Sequence, residues 1–207
     1  MDLKIASWNV NSLNVRLPHV LAWCDAAAPD ILALQETKLT DDRFPAEPLR
    51  EAGSHSVFSG QKTYNGVAIL SREAARDVVT DIPALDDPQR RILAATIGDV
   101  RLVNLYVVNG SEVGSEKFDY KLLWLEQVTD WLAGEIEAHR LGAITRVEQP
   151  VELGLVRHLP GHVQVRTSHV PVHRQIPVAA FADVAELFQV QVTDNATQAE
   201  VDDLFES

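Results

Sequence analysis

The sequence has a single cysteine, Cys24, among 207 residues, so no intrachain disulfide can form. Leu17, Val20 and Leu21 surround it at helical spacing, and Cys24 therefore reads as a small apolar helix residue rather than a reactive thiol. No apolar run approaches the roughly 20 residues that cross a bilayer. The opening MDLKIASWNVN also lacks the apolar centre of a secretory leader. The expected location is therefore the cytoplasm, with no membrane partner. Positive charge is scarce as well, and the formal net charge is −12. Delocalised binding to nucleic acid needs clustered Lys and Arg that displace counterions, so contact with a polyanion must rest on a local site. Finally, no glycine-rich turn follows the first expected strand. Asn9-Val10-Asn11 stands there instead, which disfavours a dinucleotide-binding fold.

The remaining composition, 46% apolar and 23% charged, is that of a globular chain with room for one substantial domain or two small ones. Residues 3–10 read as a strand and 15–28 as a helix, with Pro18 near its start. ILALQ, residues 31–35, is a short continuous apolar run of the buried-strand kind. Residues 40–53 read as a loop with a short helix, and 56–60, 67–71 and 77–82 as strands, with a turn at Tyr64-Asn65-Gly66. Residues 92–97 and 101–107 form a hairpin around Gly98-Asp99. A long helix over 116–138 carries Phe118, Leu122, Leu125, Val128 and Leu132 as its expected core stripe. Strands interleaved with helical crossovers predict a layered α/β arrangement, sheets inside and helices outside. Past residue 140 the character changes. The last Lys is Lys121, the last Trp is Trp131 and the last Tyr is Tyr120. Strand-like alternation then appears at Val163/Val165, Val170/Val172 and Phe188/Val190/Val192, before the acidic ending EVDDLFES.

Three polar clusters fall at expected strand ends: Ser7-Trp8-Asn9-Val10-Asn11, Gln35-Glu36-Thr37-Lys38 and Asn104 to Gly110. In layered α/β folds, sites are built at strand ends and their loops. A carboxylate beside an amide oxygen suits a hard cation such as Mg²⁺, which binds oxygen, keeps several waters and needs few protein groups. Thiolates and paired His are absent from these clusters, which disfavours zinc. Each cluster also has a plain structural reading. Asn9 and Asn11 can bond loop backbone, Glu36 can be a solvated strand-end acid or pair with Lys38, and Tyr106 can be a half-buried strand residue with a wet hydroxyl.

Order and spacing add to this. SWNVNSLNVRLPHVLAW, PDILALQETKLTDDRFP, FSGQKTYNGVAILS, DDPQRRILAATI and VNLYVVNG follow one another over about residues 3–138. In that order they resemble the exonuclease III branch of the endonuclease/exonuclease/phosphatase family. The resemblance implies the N-terminal half of a four-layered α/β sandwich with two facing sheets. It implies Mg²⁺ (or Mn²⁺) as cofactor and, as partner, double-stranded DNA cut at abasic sites or from 3′ ends. By position, Glu36 matches the family's metal-binding glutamate and Asn9 the amide beside that metal. Tyr106 matches the site tyrosine that contacts the scissile phosphate, while Tyr64 and Arg91 match loop positions that meet the DNA backbone. One departure is Val108, which stands where the family usually has Pro.

Several family motifs have no counterpart: a strand ending Gly-Asp-x-Asn after the long helix, a further Asp, and a late Ser-Asp-His. The chain instead reads LGAITRVEQPVELG, with no Asp between Asp130 and Asp183, and Ser168-His169 is an accidental echo. The expected division is thus a truncated exonuclease III-like domain over 1–140 and an unrelated tail over 141–207. Losing one positioned acid–base group costs about 10²–10⁴ in rate, and several are absent. The expected activity is at or near background. The alternative reading is a non-catalytic remnant that binds metal or DNA weakly.

Overall fold

The computed structural model describes residues 3–82, 85, 87–109, 111–139, 142–147, 153–159 and 162–166. In chain order the elements are β1 (Lys4–Asn9), α1 (Leu13–Ala27), β2 (Ile31–Gln35), a 3-10 turn (Asp41–Arg43), α2 (Ala46–Glu51), β3 (His55–Ser59), β4 (Val67–Ser71), β5 (Arg76–Val79), β6 (Ile92–Ile97), β7 (Val100–Tyr106), α3 (Glu116–Ala138), β8 (Gly142–Val147), β9 (Leu153–Leu159) and β10 (His162–Arg166). Two sheets result, one ordered β10-β9-β1-β2-β4-β3 and the other β5-β6-β7-β8. The parallel pairs β1/β2 and β7/β8 are joined through α1 and α3, as parallel neighbours require a crossover.

Period-two alternation sorts the strand residues into layers. Ala6, Trp8, Leu32, Leu34, Ala68 and Leu70 face outward from the first sheet and pack against Leu13, Val20 and Trp23 of α1. Their neighbours Ile5, Ile31, Ala33, Val67 and Ile69 face inward and meet Leu93, Ala95, Ile97 and Leu102 of the second sheet. The outer face of that second sheet, with Ile92, Ala94, Val103 and Leu105, takes Trp124, Val128 and Leu132 of α3. The order helix, sheet, sheet, helix is the four-layered α/β sandwich expected from the resemblance.

Local chemistry sets the element ends. Ala28 adopts φ 45° and returns its N–H to Cys24 O, a left-handed cap just before Pro29, so α1 starts and stops slightly ahead of the expected 15–28. Ser115 caps α3 by accepting from the Phe118 N–H. The expected stripe of α3 needs correction. Leu122 is 42% exposed, and the buried line is Trp124, Val128 and Leu132, with Tyr120, Leu125 and Trp131 beside it. The helix is turned to bury the large indole, whose area outweighs that of a leucine. β5 is also shorter than the expected 77–82. Asp77 takes φ 51° and the register slips between Arg76 and Val79, so Ile82 leaves the ladder and joins the outer core. The buried Arg101 guanidinium ties this edge to α3 through Glu135 Oε2 at 2.6 Å and also donates to Asp77 O.

Strand-like character at Val163 and Val165 matches β10. Val170, Val172, Ser168, His169 and the Phe188–Val192 stretch lie outside the described residues. Among the described residues no helix is long and apolar enough to cross a membrane.

Candidate active site

The slot between the sheets is apolar along most of its length and turns polar at one end. Ser7, Gln35 and Asn104 face inward there and are buried. Gln35 Nε2 donates to Ser7 Oγ at 3.0 Å and, across the slot, to Asn104 Oδ1 at 2.7 Å. Asn104 Nδ2 in turn donates to Leu34 O and Ala68 O, both at 2.9 Å. This buried bridge fixes how the two sheets sit against each other. One step further along, Asn9, Glu36 and Tyr106 converge at the mouth.

Backbone pairing continues past the sheet and holds that mouth together. The N–H groups of Val10, Ser12 and Leu13 donate to the carbonyls of Gln35, Glu36 and Thr37 at 2.8–3.0 Å. On the other side, Thr37 N–H and Lys38 N–H donate to Gly66 O and Asn65 O. Glu36 and Lys38 both take φ 55°, a left-handed conformation uncommon for such residues and found mainly at constrained sites. Gly66 sits at φ 86°, and a Cβ there would run into Thr37 Oγ1, so only glycine lets the Tyr64-Asn65-Gly66 turn close onto Glu36.

The Glu36 carboxylate is held from three directions. Oε1 accepts from Asn9 Nδ2 at 2.9 Å and from the Tyr106 hydroxyl at 2.8 Å, while Oε2 lies 2.9 Å from Lys38 Nζ. Lys38 Nζ also donates to Asn11 Oδ1. Asn9 Oδ1 accepts from the Asn11 N–H at 3.1 Å, which turns the amide N–H of Asn9 toward Glu36. Asn9 thus orients the carboxylate. Burial by itself pushes the Glu36 carboxyl up, but hydrogen bonds from Asn9, Lys38 and Tyr106 and the Lys38 charge outweigh it, so it ionises below the usual carboxylate range. Burial first, then the Glu36 hydrogen bond and charge, push Tyr106 up to about 12 against the opposing pull of Arg91. At neutral pH Tyr106 is therefore a phenol that donates a hydrogen bond, not a phenolate.

A pH dependence follows from Glu36. Its folded value lies below its unfolded one, so the stabilisation is present above the ordinary glutamate value of about 4.3 and is lost as pH falls through the folded value. The stability difference between the wild type and Glu36→Gln, measured by urea unfolding without metal, is expected to be present at neutral pH and to vanish as pH falls through the lowered folded value of Glu36.

Glu36, Lys38, Tyr64, Arg91 and Tyr106, with Gln61, Asn65 and Gln89, line a cavity of about 300 Å³. Tyr64 stands at its rim, 67% exposed. The Arg91 guanidinium lies 4.6 Å from the centroid of the Tyr106 ring and is held there by Gln89, whose Oε1 accepts from Arg91 Nε at 2.9 Å. Gln89 Nε2 reaches back to the Tyr120 hydroxyl at 3.2 Å, and that hydroxyl donates to Asp87. A chain of contacts therefore runs from α3 to the site.

All five residues singled out from the sequence, Asn9, Glu36, Tyr64, Arg91 and Tyr106, come together at this cavity, Asn9 through its bond to Glu36. Both structural alternatives for Glu36 and Asn9 are realised as well: Glu36 does pair with Lys38, and Asn9 does bond loop backbone. The sequence marks Asn11 only as a loop-backbone partner, not as a neighbour of Lys38, and gives Gln89 no role. Gln89 sits in a tight turn whose Arg91 N–H donates back to Gln89 O at 3.1 Å, and no sequence pattern marks it.

The sequence profile described as the Endonuclease/Exonuclease/phosphatase family matches residues 6–191. The chain belongs to that family. The match extends beyond the residue-138 limit of the family motifs legible by eye. Among characterised family members, the chain is 32% identical to exodeoxyribonuclease III of Haemophilus influenzae, over 64% of this chain and 52% of the relative. It is 32% identical to DNA repair nuclease APEX1 of Danio rerio, over 64% of this chain and 44% of the relative. The chain thus spans about half the length of the curated relatives it matches. Among solved structures, a 3′ phosphatase (NExo) from Neisseria bound to product DNA hairpin superposes with a TM-score of 0.68 at 51% identity, covering 70% of this chain and 56% of that one. An AP endonuclease from Archaeoglobus fulgidus gives 0.61 at 42%, covering 63% and 51%.

Proposed function

We propose that this chain carries the metal- and phosphate-binding half of an exonuclease III-like nuclease site, directed at phosphodiesters of double-stranded DNA at abasic sites or 3′ ends. The reading rests on one observation above all: the Glu36 carboxylate is fixed by Asn9 of one sheet and Tyr106 of the other, at the mouth of a cavity that Tyr64 and Arg91 also line. Relatives described as exonucleases, repair nucleases and a 3′ phosphatase support the substrate class.

The donor set suits Mg²⁺ or Mn²⁺. Glu36 and the Asn11 side-chain oxygen are hard oxygen ligands that already surround one cation, the Lys38 ammonium. Among the described residues no group of three or more His, Cys, Asp and Glu could form a closed site, so such an ion would keep water and phosphate as ligands. Bound there, a divalent cation supplies polarisation of a phosphoryl oxygen and stabilisation of developing negative charge. Asn9 keeps Glu36 aimed, Tyr106 offers its phenol proton to a phosphate oxygen, and Arg91 places a fixed positive charge beside it. Tyr64 presents an exposed ring at the rim, where the DNA backbone would pass.

The sequence holds no Gly-Asp-x-Asn segment and no Asp between Asp130 and Asp183 to activate water. We therefore expect the chain by itself to bind rather than cut, with cleavage at or near background. The test is Mg²⁺-dependent incision of an abasic-site duplex with Glu36→Ala as control. Robust, Glu36-dependent incision would sink the half-site reading and make the chain a full nuclease. A further prediction concerns Gln89. Gln89→Leu removes the bond to Arg91 Nε, leaving the guanidinium its contacts with Tyr106, and is expected to weaken duplex binding about fivefold by fluorescence anisotropy while leaving Mn²⁺ affinity unchanged.

A further inference from the structure

Lys38 stands out because its ammonium has the surroundings of a bound cation. Nζ lies 2.9 Å from Glu36 Oε2 and donates to Asn11 Oδ1. These are the two oxygens left over once Asn9 and Tyr106 have taken Glu36 Oε1. The backbone is bent to produce the arrangement: Lys38 takes φ 55° and its N–H is tied to Asn65 O at 2.9 Å, which turns the side chain back over Glu36. The side chain is 26% exposed and lines the same cavity as Tyr64 and Arg91, so free space adjoins it. Four rotatable bonds give a lysine the reach to leave one oxygen pair for another.

We infer that Lys38 is a displaceable internal counter-ion: its ammonium holds the Glu36–Asn11 oxygen pair in the metal-free chain, a divalent cation displaces it, and the released ammonium turns into the cavity toward a phosphate. This rests on the metal-dependent reading of the site. The physical argument is one of occupancy. Glu36 is buried, and a buried carboxylate needs a partner at all times. Two cations cannot share one pair of oxygens, because at such separations their repulsion is large in a partly desolvated site. The ammonium spares Glu36 from being left unpaired before metal arrives and then becomes available to the substrate. Metal and phosphate are thereby coupled, each favouring the lysine position that suits the other.

The experiment follows Lys38 itself. The full chain is treated with limiting acetic anhydride with and without saturating Mn²⁺, Mn²⁺ occupancy is read by electron paramagnetic resonance in the same samples, and acetylation of each lysine is quantified by mass spectrometry. Bound Mn²⁺ is expected to speed acetylation of Lys38 about fivefold and leave Lys4 and Lys62 unchanged. Lys38→Met is expected to bind Mn²⁺ about tenfold tighter than the wild type. Lys38→Met leaves the Asn9 and Tyr106 bonds to Glu36 in place, and a cooperative unfolding transition checks that the variant folds. Mn²⁺ bound with Lys38 acetylation unchanged would overturn the displacement, as would Lys38→Met binding Mn²⁺ no tighter. Failure of both chains to bind Mn²⁺ would overturn the metal reading together with this inference.

Discussion

Glu36→Ala is expected to weaken Mn²⁺ binding by roughly 100-fold or more, measured by paramagnetic resonance or calorimetry. Changing a residue that hydrogen-bonds a metal's ligand typically costs about 10–100-fold in affinity, and losing a direct carboxylate ligand should cost at least the upper end of that range. Among the described residues Glu36 is the only carboxylate lining the cavity. Its loss removes both the charge and the oxygen that pairs with Asn11. Glu36→Gln separates these contributions, since it keeps the volume and an acceptor for Asn9 Nδ2 and the Tyr106 hydroxyl while removing the charge. Both variants should bind weakly. Near-wild-type affinity in either would place the metal elsewhere.

Asn104→Leu is expected to lower stability by about 3 kcal/mol and the melting temperature by roughly 6–12 °C. The side chain is fully buried and bonds across the slot, donating to the carbonyls of Leu34 and Ala68 and accepting from Gln35. Leucine matches the volume approximately but leaves the Gln35 amide with Ser7 as its remaining partner in this network. An unpartnered buried polar group costs about 1–3 kcal/mol. Gln35 Oε1 already lacks a hydrogen-bond partner, which makes further loss at this point harder to absorb. The effect also reaches function. Asn104 lies two residues before Tyr106 and Gln35 one before Glu36, so loosening the bridge shifts the phenol relative to the carboxylate. Thermal unfolding of Asn104→Leu beside Ser7→Ala checks this. Ser7→Ala removes a single bond from Gln35 and should cost about 1 kcal/mol.

Much of this was legible in the sequence. ILALQ read as a buried strand because its residues face two different cores, with Ile31 and Ala33 inward and Leu32 and Leu34 toward α1. The hairpin around Gly98-Asp99 is the β6/β7 pair. The site residues were marked by polar groups interrupting apolar strands, since buried polar side chains persist only where something bonds them. The face of α3 was not legible in the same way. Leu122 and Trp124 are both apolar, and only the shape of the outer sheet face decides that the indole is buried and the leucine is exposed. The Glu36–Lys38 pair was open in the sequence as an alternative, but the contact of the same ammonium with Asn11 was not, because it depends on two left-handed residues that nothing in the QETK stretch announces. Gln89 was hidden for a related reason: its partners Arg91, Tyr120 and Asn65 come from three separate segments.

The central claim is that Glu36 marks a divalent-metal position. It is tested most directly by soaking crystals of the chain in Mn²⁺ and locating the ion by anomalous scattering. The expected result is a single anomalous peak about 2 Å from a Glu36 carboxylate oxygen, with the Lys38 ammonium moved away from it. A chain that binds no Mn²⁺ there, or one whose ion sits remote from Glu36 while Lys38 keeps its place, would contradict the account.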